Sequence, residues 1–184
     1  MNTTPTQNPE GMQHFEYSHN QCIFDIYNNQ NILIMGQSLA QVYLHLIFST
    51  KNRNSFITKE IETELFAYIG GIIKRQKGIP FCINGTSDHV HILCSYPRTI
   101  TLSDFLKEIK SSSSRWIKTK DICYKKFGWQ DGYGTFSVSS SKREIVEKYI
   151  LNQKKHHERI SFQEELISFF EKYDIEYNEE YLWK

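Results

Sequence analysis

The chain has 184 residues, 39% hydrophobic and 23% charged, with a formal net charge of +1, enough for one domain with a sizeable core. It contains no apolar run near the roughly 20 residues of a membrane span. Residues 1–38 carry no Lys or Arg, so the basic start of a secretory signal is not expected either. Four cysteines (Cys22, Cys82, Cys94, Cys123) without C-x-x-C spacing point to small hydrophobes in a reducing cytoplasm rather than to a disulfide framework.

Residues 1–35, rich in Asn, Gln, Thr and Ser, read as an N-terminal extension, and 36–184 as a single domain. "AQVYLHLIFST" alternates apolar and polar positions and predicts a half-buried strand. Thr58 then precedes a segment with Ile61, Leu65, Tyr68, Ile69, Ile72 and Ile73 at helical spacing, stopped near Gly78. "IPFCING" and "HVHILCSYP" are two strands joined by the turn residues "NGTSD", a hairpin. "TLSDFLKEIKSSSSRWIKTK" predicts a second helix capped by Thr101 or Ser103, with four serines weakening its middle. A glycine-punctuated loop and strand, "FGWQDGYGTFSVS", follow, then the helix "KREIVEKYILNQKKHHE" and a more acidic helix, "SFQEELISFFEKYDI".

This order is the ferredoxin-like split βαββαβ of the α+β class. It predicts one antiparallel sheet with helices packed on one face and the other face available, plus two further C-terminal helices.

Within the hairpin, His89 and His91 are two apart and share a strand face, while Val90, Ile92 and Cys94 take the core side. Paired imidazoles can serve one metal ion, although two polar residues on an open strand face would look the same. Asp88 is placed to orient an imidazole or merely to close the turn. On the later helix, Tyr149 and Gln153 are four apart and share a face. A glutamine carbonyl is a neutral ligand for Mg²⁺ or Mn²⁺, and a tyrosine hydroxyl becomes a nucleophile once its proton is accepted. A core aromatic would fit Tyr149 equally well. His156 and His157 read as surface residues or phosphate contacts.

The charge is unevenly spread. Residues 39–159 hold twenty of the 22 bases and eleven of the 21 acids, a net of +9, the pattern of a polyanion-binding body or of a lysine-rich surface. Lys51, Arg53, Lys107, Lys110, Arg115, Lys118 and Lys120 are candidate phosphate contacts, and Trp129 and Tyr133 could stack on bases or anchor their loop.

The strand "DHVHILCS", the loop "WQDGYGTFSVS" and the helix "YILNQKKHH", together with "MGQSLAQVYLHLIFSTKNR" and "EYLW" at the ends, resemble the single-tyrosine transposases of bacterial insertion sequences. These belong to the HUH endonucleases, and the REP-associated tyrosine transposases are similar. The resemblance covers residues 36–183. It implies His89 and His91 as metal ligands, Gln153 as the third, Tyr149 as nucleophile, and Mg²⁺ or Mn²⁺ as cofactor. It also implies cutting and rejoining of single-stranded, hairpin-containing element ends through a 5′-phosphotyrosine, by a homodimer whose sites are completed in trans. A domesticated relative acting on repeated palindromes, or a non-catalytic single-stranded nucleic-acid-binding module, are the alternatives.

Overall fold

In the computed structural model, residues 39–178 are described; the expected N-terminal extension and the closing "EYLW" lie outside them. The elements are β1 (Tyr43–Ser49), α1 (Lys59–Arg75), β2 (Ile79–Gly85), β3 (His89–Ser95), α2 (Leu102–Ile117), β4 (Gly134–Val138), α3 (Arg143–Leu151), α4 (Gln153–His156) and α5 (Phe162–Lys172). The four strands form one sheet in the order β2-β3-β1-β4, every adjacent pair antiparallel. That is the α+β split the sequence predicts.

Period-2 alternation divides the strands between two cores. Leu44, Leu46, Phe48, Val90, Ile92 and Cys94 face α1 and α2, meeting Leu65, Ile69, Ile72, Ile73, Phe105 and Ile109. Thr101 caps α2 by accepting from the Asp104 amide at 3.2 Å. The serine run has a use: Ser113 is buried in α2 and its hydroxyl accepts the Trp129 indole N–H at 2.9 Å. Cys82 and Cys94 behave as hydrophobes, burial pushing both thiols up to about 12.

The second face is not open, contrary to expectation. On one side α5 packs Phe162, Leu166 and Phe170 against Ile47 and Phe136. On the other, Ile150 of α3 meets Phe81, Cys82, Leu93 and Val138. Helical spacing made these residues visible as helices, but the face each helix covers follows from tertiary docking. His89 and His91 end up between the two clusters, 1% and 0% exposed.

The hairpin turn that carries His89 is built on one close approach. A Cβ at Gly85 would stand 2.1 Å from the His89 carbonyl oxygen. Gly85→Ala is therefore expected to cost about 1–3 kcal/mol, because backbone cannot give way as a flexible side chain would. A lowered midpoint in denaturant unfolding checks this.

Candidate active site

The predicted tyrosine helix is broken in two. α3 ends at Leu151, Asn152 turns (φ −94°, ψ 12°), and α4 is a single turn from Gln153. Asn84 of β2 fastens the break, its amide donating to the Ile150 and Leu151 carbonyls at 2.9 and 3.0 Å. This seats Tyr149 and Gln153 over the chain's own histidines. The Tyr149 and His91 rings are 6.2 Å apart by centroids, so tyrosine and histidine pair meet within one chain, where the resemblance implied a partner.

The centre of the arrangement is Glu165 on α5, 2% exposed. Its Oε1 accepts from the Tyr149 hydroxyl and from the Gln153 amide (2.9 Å for the latter). Its Oε2 lies 3.3 Å from Nε2 of His91 and of His157, close but not aligned as hydrogen bonds. One ligand atom from each of His89, His91, His157 and Glu165 lies within 4.8 Å of the others. His89 Nε2, His91 Nε2, His157 Nε2, Gln153 Oε1 and Glu165 Oε2 are all buried without a hydrogen-bond partner. Buried polar atoms are rarely left so. Three imidazoles, when neutral, and the Glu165 carboxylate, clustered in this way, fit a divalent cation, and the Gln153 amide donates to that carboxylate.

The surroundings fix which imidazole nitrogen is free. His89 Nδ1 donates to the Asp88 carboxylate at 2.8 Å, which can only accept. Asp88 is held by the Thr86 hydroxyl at 2.8 Å and by Arg53 at 2.6 and 3.0 Å. Asn52 and Arg53 both adopt left-handed backbone, φ 55°, which costs energy in non-glycine residues. The turn aims the Arg53 guanidinium at Asp88 and over Phe162, 4.9 Å from the ring centroid. His91 Nδ1 meets His45 Nε2 at 3.0 Å, and His157 Nδ1 donates to the Ile160 carbonyl at 2.8 Å.

Protonation follows burial and partners. Desolvation lowers the pKa of His89, against Asp88, and lowers that of His91 to about 4, against Glu165. His45 falls for the same reason, with His91 adding to it. These three imidazoles are neutral at pH 7, as ligation requires. For His157, burial pulls downward but the Glu165 carboxylate outweighs it and the pKa rises. Burial alone would raise Glu165, yet the adjoining His157, His91 and Tyr149 hold it well below the usual carboxylate range. Tyr149 is pushed up by burial and by the Glu165 charge.

Asp88 behaves as Glu165 does: hydrogen bonds from His89, Thr86 and Arg53 overcome burial and depress it. A depressed carboxylate stabilises above its unfolded pKa, roughly 4, and loses that contribution as pH falls below it. Asp88→Asn removes the charge that orients His89. It is expected to weaken divalent-metal binding by about 10- to 100-fold, measurable by isothermal titration calorimetry.

The candidate DNA contacts divide. Lys51, Lys107, Lys110, Lys118 and Tyr133 line one groove of about 610 Å³ along α2 and the glycine loop, joined by Lys126. Trp129 also borders it but is 7% exposed and hydrogen-bonded inside, so it anchors the loop rather than offering a stacking face. Lys110 likewise turns inward. Its ammonium donates to the Gln130, Asp131 and Gly132 carbonyls, the last two at 3.0 Å, and burial lowers its pKa to about 8. Arg115 donates to Ser112 on its own helix at 3.0 Å, and Arg53 serves Asp88. Lys120 pairs with Glu64 across the α1–α2 side.

Sequence reasoning missed Glu165, His157 and His45. Glu165 had a signal: it lies on the apolar stripe of α5 with Phe162, Leu166 and Phe169, where an acid is out of place. His45 shares the inward phase of β1 with Ile47. His157 had none, since "KKHHE" reads as a solvated end. A second cavity, about 530 Å³, opens onto Tyr149 and is lined by His45, His156, Arg159, Lys172 and Glu165 among others.

Comparison with known proteins gives the class, a DNA-processing enzyme. The model of the IS200-like transposases matches residues 38–153. The chain belongs to this family of DNA-cleaving enzymes. The ISDra2 transposase TnpA of Deinococcus radiodurans is 27% identical over 118 residues, spanning 61% of this chain and 84% of that protein. Two solved structures share the fold. One is a protein of D. radiodurans R1 described as a transposase, with TM-score 0.52, 24% identity, and coverage of 65% of this chain and 96% of that one. The other is a REP-associated tyrosine transposase bound to a REP hairpin, with TM-score 0.50, 14% identity, and coverage of 68% and 76%. Among the described residues no helix is long and apolar enough to cross a membrane.

Proposed function

We propose that this transposase cuts and rejoins single-stranded DNA at element ends, with Tyr149 as nucleophile and a 5′-phosphotyrosine as intermediate. The observation that carries the reading is the shared carboxylate: Glu165 holds the Tyr149 hydroxyl on one oxygen and faces the histidine cluster with the other. The cavity over Tyr149 is bordered by Arg159 and Lys172, cations suited to a phosphodiester.

In the resting arrangement the proton stays on Tyr149, because burial and Glu165 both oppose the phenolate. It therefore passes to Glu165 as the Tyr149 oxygen attacks phosphorus, not before. The new bond joins that oxygen to phosphorus, the P–O3′ bond breaks, and the departing oxygen takes a proton from water to become a free 3′-OH. The phosphodiester energy is kept, so a 3′-OH can reverse the attack without ATP. His89 and His91 would hold a divalent cation. When bound, it polarises the phosphate and stabilises the developing charge. Tyr149 adjoins its own chain's cluster, an arrangement in which the chemistry runs in cis.

A hairpin-containing oligonucleotide labelled on the 3′ side of the cut tests this. A labelled adduct that survives denaturation and vanishes with chelator is expected. Metal-dependent cleavage without any adduct would instead indicate hydrolysis and defeat the reading.

The lysine groove supplies the DNA path. Exchanging Lys107 and Lys118 for Glu together is expected to weaken single-stranded DNA binding at least tenfold at 50 mM salt and to flatten its salt dependence, each lost phosphate contact removing about 0.7 from the log–log slope. Fluorescence anisotropy across a salt series reads both.

A further inference from the structure

The family match ends at Gln153, yet two of the four groups in the cluster come after it. His157 follows α4, and Glu165 projects from α5. Three imidazoles there repeat one pattern. His89 is tied through Nδ1 to Asp88, His91 through Nδ1 to His45, and His157 through Nδ1 to the Ile160 carbonyl. Each leaves Nε2 buried and unpartnered. Anchoring one ring nitrogen while the other is left bare is how proteins orient metal-ligating histidines. Glu165 repeats the pattern with a carboxylate: Oε1 takes the Tyr149 and Gln153 donors, and Oε2 is left bare. Four residues reached from three separate segments thus converge, with ligand atoms mutually within 4.8 Å.

We propose that His157 and Glu165 complete a four-ligand metal site with His89 and His91, held in cis, for a nitrogen-preferring transition-metal ion such as Mn²⁺, Co²⁺ or Zn²⁺ rather than Mg²⁺. This rests on the reading of His89 and His91 as metal ligands given above. The donor set makes the choice. Mg²⁺ favours oxygen ligands and keeps several waters, whereas three imidazoles and one carboxylate suit first-row transition ions. The Gln153 side chain, donating to Glu165 at 2.9 Å, positions that carboxylate. Because all four ligands sit on one chain, the site forms before DNA arrives.

Metal-free full-length protein titrated with Co²⁺, followed by visible absorption, tests the assignment without reference to cleavage. One ion per chain is expected, bound in the absence of DNA, with a d–d spectrum that a large excess of Mg²⁺ does not erase. Glu165→Gln, which keeps the side chain's shape, and His157→Ala should each weaken Co²⁺ binding at least tenfold and change the spectrum. Circular dichroism confirms that each variant is folded. If both variants bind as the parent does while His89→Ala has lost binding, the ligands beyond Gln153 are refuted and the histidine pair stands. If His89→Ala also binds unchanged, the metal reading itself falls. Displacement of Co²⁺ by equimolar Mg²⁺ would overturn the preference.

Discussion

Tyr149→Phe is expected to lower strand cleavage on the order of a thousandfold or more, as removal of a nucleophile does, and to leave no covalent adduct on a denaturing gel. Binding of a hairpin substrate should survive, because the lysine groove along α2 does not involve Tyr149. The substitution also removes one of two donors to Glu165 Oε1 while the Gln153 amide remains. A stability loss of only about 1 kcal/mol is therefore expected. That separation matters: a Tyr149→Phe protein that melts like the parent but forms no adduct has lost chemistry, not fold. Retention of an adduct would assign the nucleophile to another residue.

His91→Ala carries the second large effect, and it acts on two levels. His91 is fully buried and stands between His45 on one side and Glu165 on the other. Its removal should abolish metal-dependent cleavage. It also strips His45 Nε2 of its partner inside a desolvated site, and an orphaned buried polar group costs about 1–3 kcal/mol. Denaturant unfolding of metal-free protein isolates that second cost. His45→Ala offers the complementary measurement. It leaves the cluster atoms in place but frees the His91 ring to turn, so metal affinity should fall by about 10- to 100-fold. Equal metal affinity in His45→Ala and parent would show that the His45–His91 contact does not set the ligand's orientation.

How much of this could be read beforehand depends on the range of each interaction. The sheet was legible because strand alternation and helical spacing are local, and the short "NGTSD" turn leaves little choice but a hairpin. His89 with His91 and Tyr149 with Gln153 were legible for the same reason, as pairs two and four residues apart. Glu165 belongs with them in space but lies on another helix, where its place on the apolar stripe marks it as inward-facing without saying what it meets. Only the docking of α5 onto Ile47 and Phe136 brings it to the histidines. The expectation of an open face failed there too: periodicity says that a helix has an apolar side, not which surface receives it. Lys110 and Trp129 show the converse. Both had the chemistry of DNA contacts, and both are spent on holding the glycine loop, Lys110 through three successive carbonyls.

The position of α5 has a consequence for how the molecule comes to life. During synthesis it is the last described helix to emerge, after the sheet and α1 to α4. A nascent chain can therefore assemble the α1–α2 core and seat Tyr149 on the hairpin while Glu165 is still inside the ribosome. Domains commonly gain structure in this vectorial way. Until α5 docks, the Tyr149 hydroxyl lacks its Glu165 partner and the histidines are uncovered. On the reading proposed above, competence to break DNA thus arrives in one late step, with the docking of α5.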